Sequence, residues 1–266
     1  MPDHLRTRAR SAPWQELLCR SYVAVFFHGA EHLGKDGDSW PPVLSWAFGA
    51  LGNGDAAVIG MWAEGASCET VWFRALADLK ARGLERIRFA VTDDPTAFGE
   101  DLQTQFPGAL SLPSFAGLLD RSVRQVQPRD RAPVKNHLLA ILQAGSSQAA
   151  QQSFSEFESS CSAARYPALV TDWRLARDQG RLLWSLAPTL RREVLRGDAR
   201  ATSLQLSVGK ALARHGGFAD PSAALSFVQT ALARAQRRFD AARSTATRAQ
   251  RPLLEVSPFR GVALGG

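Results

Sequence analysis

The sequence predicts an α/β protein, with a mixed sheet in the first half of the chain and helices in the second. Three observations carry this reading. From Ala56 to Pro107, apolar runs of strand length alternate with stretches of helical period in the order strand, helix, strand, helix. Two further runs rich in β-branched and aromatic residues precede that unit, and after Leu112 the pattern is wholly helical.

Taken in order, residues 1–14 form a polar, basic arm. Leu17–Phe27 and Pro42–Leu51 are expected to pair across the glycine- and aspartate-rich turn Gly29–Ser39, and Ala56–Trp62 completes a three-stranded meander. From Glu69 to Arg82 the apolar residues Val71, Trp72, Ala75, Leu76 and Leu79 recur at helical spacing, and Gly83 stands where a helix closes. Ile87–Val91 is a second buried strand. It ends in Thr92-Asp93-Asp94-Pro95 and leads into a helix through Phe98, Leu102 and Phe106, then a short strand, Ala109–Leu112. Strands joined by a crossover helix lie parallel, which puts Asp93 and Asp94 at a strand's carboxyl end, where α/β sheets place their chemistry. Beyond, Ala132–Gln143 and Gln148–Arg165 are amphipathic, Tyr166-Pro167 opens a helix running toward Trp184, and Pro188 starts the next. Gln236–Gly266 reads as an arginine-rich helix followed by coil.

Composition narrows the class. The 266 residues are 45% apolar, enough for a substantial core, and no apolar stretch reaches the roughly 18 residues of a membrane helix. Cys19, Cys68 and Cys161 form neither a metal spacing nor an even disulfide set, which fits a reducing cytoplasm. Charge is divided: residues 1–120 hold 10 Lys and Arg against 15 Asp and Glu, whereas residues 121–266 hold 22 against 10. The basic half could lie along a phosphate backbone, or it could be an ordinary solvated helix surface. No glycine-rich phosphate loop, nucleophile elbow or zinc-finger spacing is present.

The run VIGMWAEG…ETVWFRALADLKARGLERI…TDDPTAFGEDLQTQFPGA resembles the catalytic core of Mutator-type transposases of bacterial insertion sequences. The positions that carry the likeness are Gly60, Trp62, Glu69, Trp72, Leu76, Leu79, Lys80, Arg82, Gly83, Asp93, Phe106 and Pro107. Further on, Tyr166, Pro167 and Trp173 match a Tyr-Pro and Trp pattern that the family places in a helical insertion, and Pro188, Arg192, Ser203, Leu204, Lys210, Gly216 and Phe218 follow. The resemblance spans about residues 15–235 and leaves out the family's amino-terminal DNA-binding region. It implies a ribonuclease-H-like α/β core at 15–126, an all-helical insertion at 127–196, closing helices of the core at 197–235 and a basic tail at 236–266. It also implies three carboxylates holding divalent ions, usually Mg²⁺, for strand cleavage and transfer on DNA.

Against that pattern, Asp93 stands at the second acid, whereas Cys19 and Thr202 take the places of the first and third. A thiol is a poor Mg²⁺ ligand. A Cys-x-x-His pair and a following arginine of the family correspond to Ser114, Gly117 and Asp120. The expectation is a transposase-derived DNA-binding protein whose catalysis is lost, with Asp93 a remnant metal ligand and no cofactor, or Mg²⁺ if active. The alternatives are an active metal-dependent transposase and an interaction scaffold or transposase inhibitor without DNA affinity. DNA is expected along the basic carboxyl-terminal half, with a full-length transposase or a second copy as a further partner, and a cytoplasmic or nucleoid location. Each residue also has a plainer reading: Cys19 as a buried apolar side chain, Asp93 as a turn or capping acid, Thr202 as a cap or surface residue, and His215 as a helix-end residue near Gly216-Gly217. Glu16, Asp94 and Asp198 are the acids that could rebuild a cluster, Asp198 because it lies one turn before Thr202.

Overall fold

A computed structural model describes residues 18–30, 43–52, 55–64, 68–215, 217–218 and 221–249. The arm at 1–14, Glu16, the Gly29–Ser39 turn beyond Ala30, Gly216 and the chain after Ala249 lie outside the described residues.

The sheet has five strands: β1 Ser21–Ala30, β2 Val43–Ala50, β3 Ala56–Glu64, β4 Arg86–Thr92 and β5 Leu110–Pro113. Their order across the sheet is β3-β2-β1-β4-β5. The β1–β2 and β2–β3 pairs are antiparallel, and β1–β4 and β4–β5 are parallel. The expected meander and crossover unit are therefore present, with β1 at the centre. Helices α1 Cys68–Ala81 and α2 Pro95–Gln105 cover one face. The other carries α3 Phe115–Gln125, α4 Arg131–Gln143, α5 Ser147–Glu158, α6 Cys161–Arg165, α7 Pro167–Gln179, α8 Pro188–His215 and α9 Pro221–Ala249.

Because β1 is sandwiched, its alternate residues serve two cores. Val25 and Phe27 pack with Leu76, Leu79, Phe98 and Leu102 under α1 and α2. Ala24 and Phe26 point the other way, into the helical layer. On β3 the ring of Trp62 folds over Gly60, where a Cβ would lie 2.2 Å from it, and the indole donates to Asp78 of α1. Arg82 donates to the Ile59 carbonyl, and Gly83, at φ +96°, closes α1 in the left-handed region. Those contacts give the Gly-x-Trp and Arg-Gly positions a structural reason.

Several boundaries differ from expectation. β1 starts at Ser21, so Cys19 precedes the strand and is exposed, not buried. The stretch 148–165 is two helices, broken at Ser159-Ser160, because the Ser160 hydroxyl accepts from the Ala163 N–H and caps a new start. After α7, Gly180 ends the helix and Trp184 lies in a short 3-10 turn, Arg181–Ser185. α8 runs unbroken through residues 196 and 197, so the end of the expected insertion and the first closing helix are one element. His215 ends α8, as expected of it, and stacks on Phe218 at 4.1 Å. No helix among the described residues is long and apolar enough to cross a membrane.

The helical layer is held by polar ties at its aromatic residues. Trp173 donates to the Ser122 hydroxyl, Trp184 to the Ile141 carbonyl, and Tyr166 to Asp130 at 2.7 Å. Against the sheet, α8 packs closely on β1 at Gly197, where an added Cβ would lie 2.5 Å from the fully buried Phe26 ring. Gly197→Ala is therefore expected to lower stability by about 1–3 kcal/mol through overpacking, although alanine gains about 1 kcal/mol of helix propensity. Urea unfolding measures this. An unchanged midpoint would mean that Phe26 moves aside freely, and pairing the change with Phe26→Leu should make it less costly than it is alone.

Candidate functional site

Local chemistry separates the two adjacent aspartates. Asp94 is the N-cap of α2, its Oδ1 accepting from the Thr96 and Ala97 N–H groups at 3.1 Å each. With Pro95 behind it at the first helical position, Asp94 is committed to the helix end. Asp93 turns the other way, toward α3. Its Oδ1 accepts from the Arg121 guanidinium at 2.7 Å.

Which side chain stands beside Asp93 is set by strand register. Phe26 pairs with Val91 in the parallel ladder, and carrying that register forward two residues brings His28 level with Asp93. Cys19 lies nine residues back along the chain, before the opposite end of β1. The expected neighbour is therefore replaced by His28, which the alternation of β1 places on the same face as Phe26. His28 is 1% exposed, with no hydrogen-bond partner at either ring nitrogen. Burial pushes its imidazole down to about 4; the Asp93 charge opposes this and that of Arg121 adds to it.

The third position also differs. Thr202 lies mid-helix in α8 and is buried, neither a cap nor a surface residue, and its hydroxyl has no partner. One turn before it, Asp198 is 2% exposed and fully engaged: Oδ1 accepts from the Ser114 hydroxyl and Oδ2 from the Ala116 N–H, both at 2.8 Å. Ser114, the N-cap of α3, accepts in turn from the Gly117 N–H. Burial pushes the Asp198 carboxyl up to about 7, against the Ala116 and Ser114 hydrogen bonds that favour the ion and with the Asp93 charge adding to the rise. Ser114 and Gly117 thus stand beside Asp93, and a Cβ on Gly117 would lie 2.8 Å from the Ser114 hydroxyl and 3.1 Å from Asp93. Sequence reasoning did not single out His28, Arg121 or Trp46; the alternation of β1 places His28 on the helical face, but only the register sets it beside an acid.

A pair of hard divalent cations needs several free carboxylate oxygens. Here one acid is paired with a guanidinium, a second caps a helix, and the strand neighbour is an imidazole; the described residues include no group of three His, Cys, Asp or Glu placed to hold a metal ion. The donor set does not fit that metal pair.

Two grooves open beside the site. A cleft of about 410 Å³ between α3 and α8 has Trp46, Thr202, Arg121, Arg124 and Lys210 among its lining. Lys210 also borders a groove of about 540 Å³ between α8 and α9, where Arg214, Arg234 and Arg238 join it with no acid in the lining. Asp240 of α9 is hydrogen-bonded to Gln236 instead.

The model of a family described as "Transposase, Mutator family" matches residues 12–242. A probable transposase for insertion sequence element ISRM3-like of Sinorhizobium fredii (strain NBRC 101917 / NGR234) is 30% identical over 128 residues, 48% of this chain and 32% of that protein. The transposase for insertion sequence element ISRM3 of Rhizobium meliloti (strain 1021) matches with the same identity and coverage. The matched stretch thus spans about a third of the length of these relatives.

The two perturbed groups have opposite effects on stability. The contribution of His28, whose value is lowered, is present above its ordinary 6.5 and lost as pH falls to about 4. That of Asp198, whose value is raised, is present below its ordinary 3.8 and lost as pH rises to about 7. Asp198→Asn removes only the second. Its stability relative to the parent should therefore climb by a few kcal/mol, as an order of magnitude, as pH rises from about 4 to about 7 in urea titrations. A difference that stays flat would mean that Asp198 is ionised throughout and that its two hydrogen bonds outweigh burial.

Proposed function

Because the chain belongs to the Mutator family of transposases, we propose that it is a transposase-derived DNA-binding protein that does not cut or join strands. The observation that carries the binding reading is the α8–α9 groove, where Lys210, Arg214, Arg234 and Arg238 stand together without an acid. Four cations on two neighbouring helices suit a run of phosphates, and among the described residues the acidic first half of the chain turns no carboxylate into that groove. The order of three antiparallel strands followed by two parallel ones supports a ribonuclease-H-like core. In such a core the chemistry would gather at the ends of β1 and β4, where Asp93 is held.

The pairing of Asp93 with Arg121 supports loss of catalysis. A cation bound there would have to displace the guanidinium, and the carboxylate one helix away is already spent on α3. With Cys19 and Thr202 at the places of the other two acids, and an imidazole with no partner as the strand neighbour of Asp93, the hard oxygen ligands that Mg²⁺ requires are missing.

In a salt titration, duplex DNA binding should weaken with a log–log slope of about −3 to −4, as expected for four phosphate contacts. Arg234→Ala with Arg238→Ala should flatten the slope by about 2. Salt-independent binding, or none at low salt, would overturn the DNA reading. Incubation of duplex with Mg²⁺ or Mn²⁺ should give no strand cleavage above a protein-free control; cleavage abolished by Asp93→Asn would overturn the loss of catalysis.

A further inference from the structure

We propose that the cleft between α3 and α8 is a phosphate receptor that works without a metal ion. This rests on the reading above that the acids around Asp93 do not hold divalent cations. Two buried groups point to a ligand. Trp46, 1% exposed, and Thr202, 6% exposed, both line the cleft, and Trp46 Nε1 and Thr202 Oγ1 have no hydrogen-bond partner. An indole N–H can only donate, and leaving a buried donor unpaired costs about 1–3 kcal/mol. A ligand that satisfies both must present acceptors.

The walls specify its charge. Among the described residues, three cations, Arg121, Arg124 and Lys210, face the same space as a single acid, Asp120. Arg124 is paired with Asp120 and Arg121 with Asp93, while Lys210 has no ion-pair partner among the described residues. The acceptor-rich ligand is therefore an anion, and the planar forks of two arginines beside a lysine match the oxygens of a phosphate group. Gly29, Gly117 and Gly209 also border the cleft, so no side chain at those positions fills it. Its volume of about 410 Å³ lies within the range of small-ligand pockets and has room for a nucleotide as well as a bare phosphate.

Position relates the cleft to nucleic acid. Lys210 lines both the cleft and the basic α8–α9 groove, so the two share a wall. A strand lying in the groove would bring a terminal phosphate to Trp46 and Thr202, and a free nucleotide would bring the same group. In either case the positive charge comes from guanidinium and ammonium groups, on the side of the sheet where the family resemblance implies metal ions.

The test uses the full chain in EDTA and compares a short oligonucleotide carrying a 5′- or 3′-phosphate with its unphosphorylated form by calorimetry, alongside inorganic phosphate and a deoxynucleoside monophosphate. One phosphorylated form should bind about 10-fold tighter than the unphosphorylated one, and Trp46→Phe and Thr202→Val should each reduce that preference to about 2-fold or less. Thr202→Val is close in shape to the parent and deletes an unpaired polar atom, so its melting temperature should stay equal or rise, whereas Trp46→Phe also empties part of a buried ring site and should lower it, so binding is compared at a temperature where both variants are folded. Arg234→Ala should instead weaken all the oligonucleotides alike. If the monophosphate binds and is lost in Thr202→Val while no oligonucleotide preference exists, the receptor stands and its ligand is a free nucleotide. If the monophosphate binds but no oligonucleotide does at low salt, the DNA reading fails and the receptor survives. No phosphate preference for any probe, a preference that appears only when Mg²⁺ is added, or one untouched by both variants would overturn the proposal.

Discussion

The carboxylate of Asp198 is the tie on which the arrangement around the site depends. It joins residues more than eighty positions apart, accepting from the Ser114 hydroxyl and the Ala116 N–H, so that the middle of α8 closes the amino end of α3. That end carries the exposed N–H groups and the positive pole of the helix, and a buried acid is well matched to both. With α3 fixed, Gly117 comes against Asp93 and Arg121 reaches it one turn later. Removing Asp198 leaves Ser114 alone to cap the helix start and takes away the hydrogen bonds from α3 to α8 that Asp198 accepts, whereas the apolar packing of Phe26 on Gly197 remains.

The central strand explains why the polar groups at the site are so deeply buried. β1 has neighbours on both edges and helices on both faces, so a side chain near its carboxyl end has no route to water. His28 is held neutral there with no partner, and Trp46, directly across the β1–β2 ladder from it, also lacks one. Unsatisfied groups of this kind are uncommon in folded proteins, and the pair of them facing each other across the β1–β2 ladder marks a place where the fold has not been optimised for its own stability.

Charge follows the same division of the molecule. In the sheet half Asp93 is engaged by Arg121 and Asp78 by Trp62 and Arg82, while α8 and α9 gather four cations around a groove with no acid among the described residues that line it. That basic groove lies beside the Asp93 site because α8 borders both.

Much of this was legible in the sequence. Alternation and period specified the five strands, α1, α2 and the helical second half, because burial of one face imposes a repeat that any reader of the chain can see. Asp93 as the acid at a strand end, Gly83 as the close of α1, and Pro188 as a helix start followed from local backbone chemistry. Cys19 and Thr202 were assigned by counting along the chain, and counting cannot see register. The hydrogen-bond ladder between β1 and β4 set His28 beside Asp93 and left Cys19 exposed at the far end, while the rotation of α8 buried both Asp198 and Thr202. The guanidinium on Asp93 and the two unpaired donors in the cleft arise from packing between segments distant in sequence. Such contacts have no local signature, and only the tertiary structure decided them.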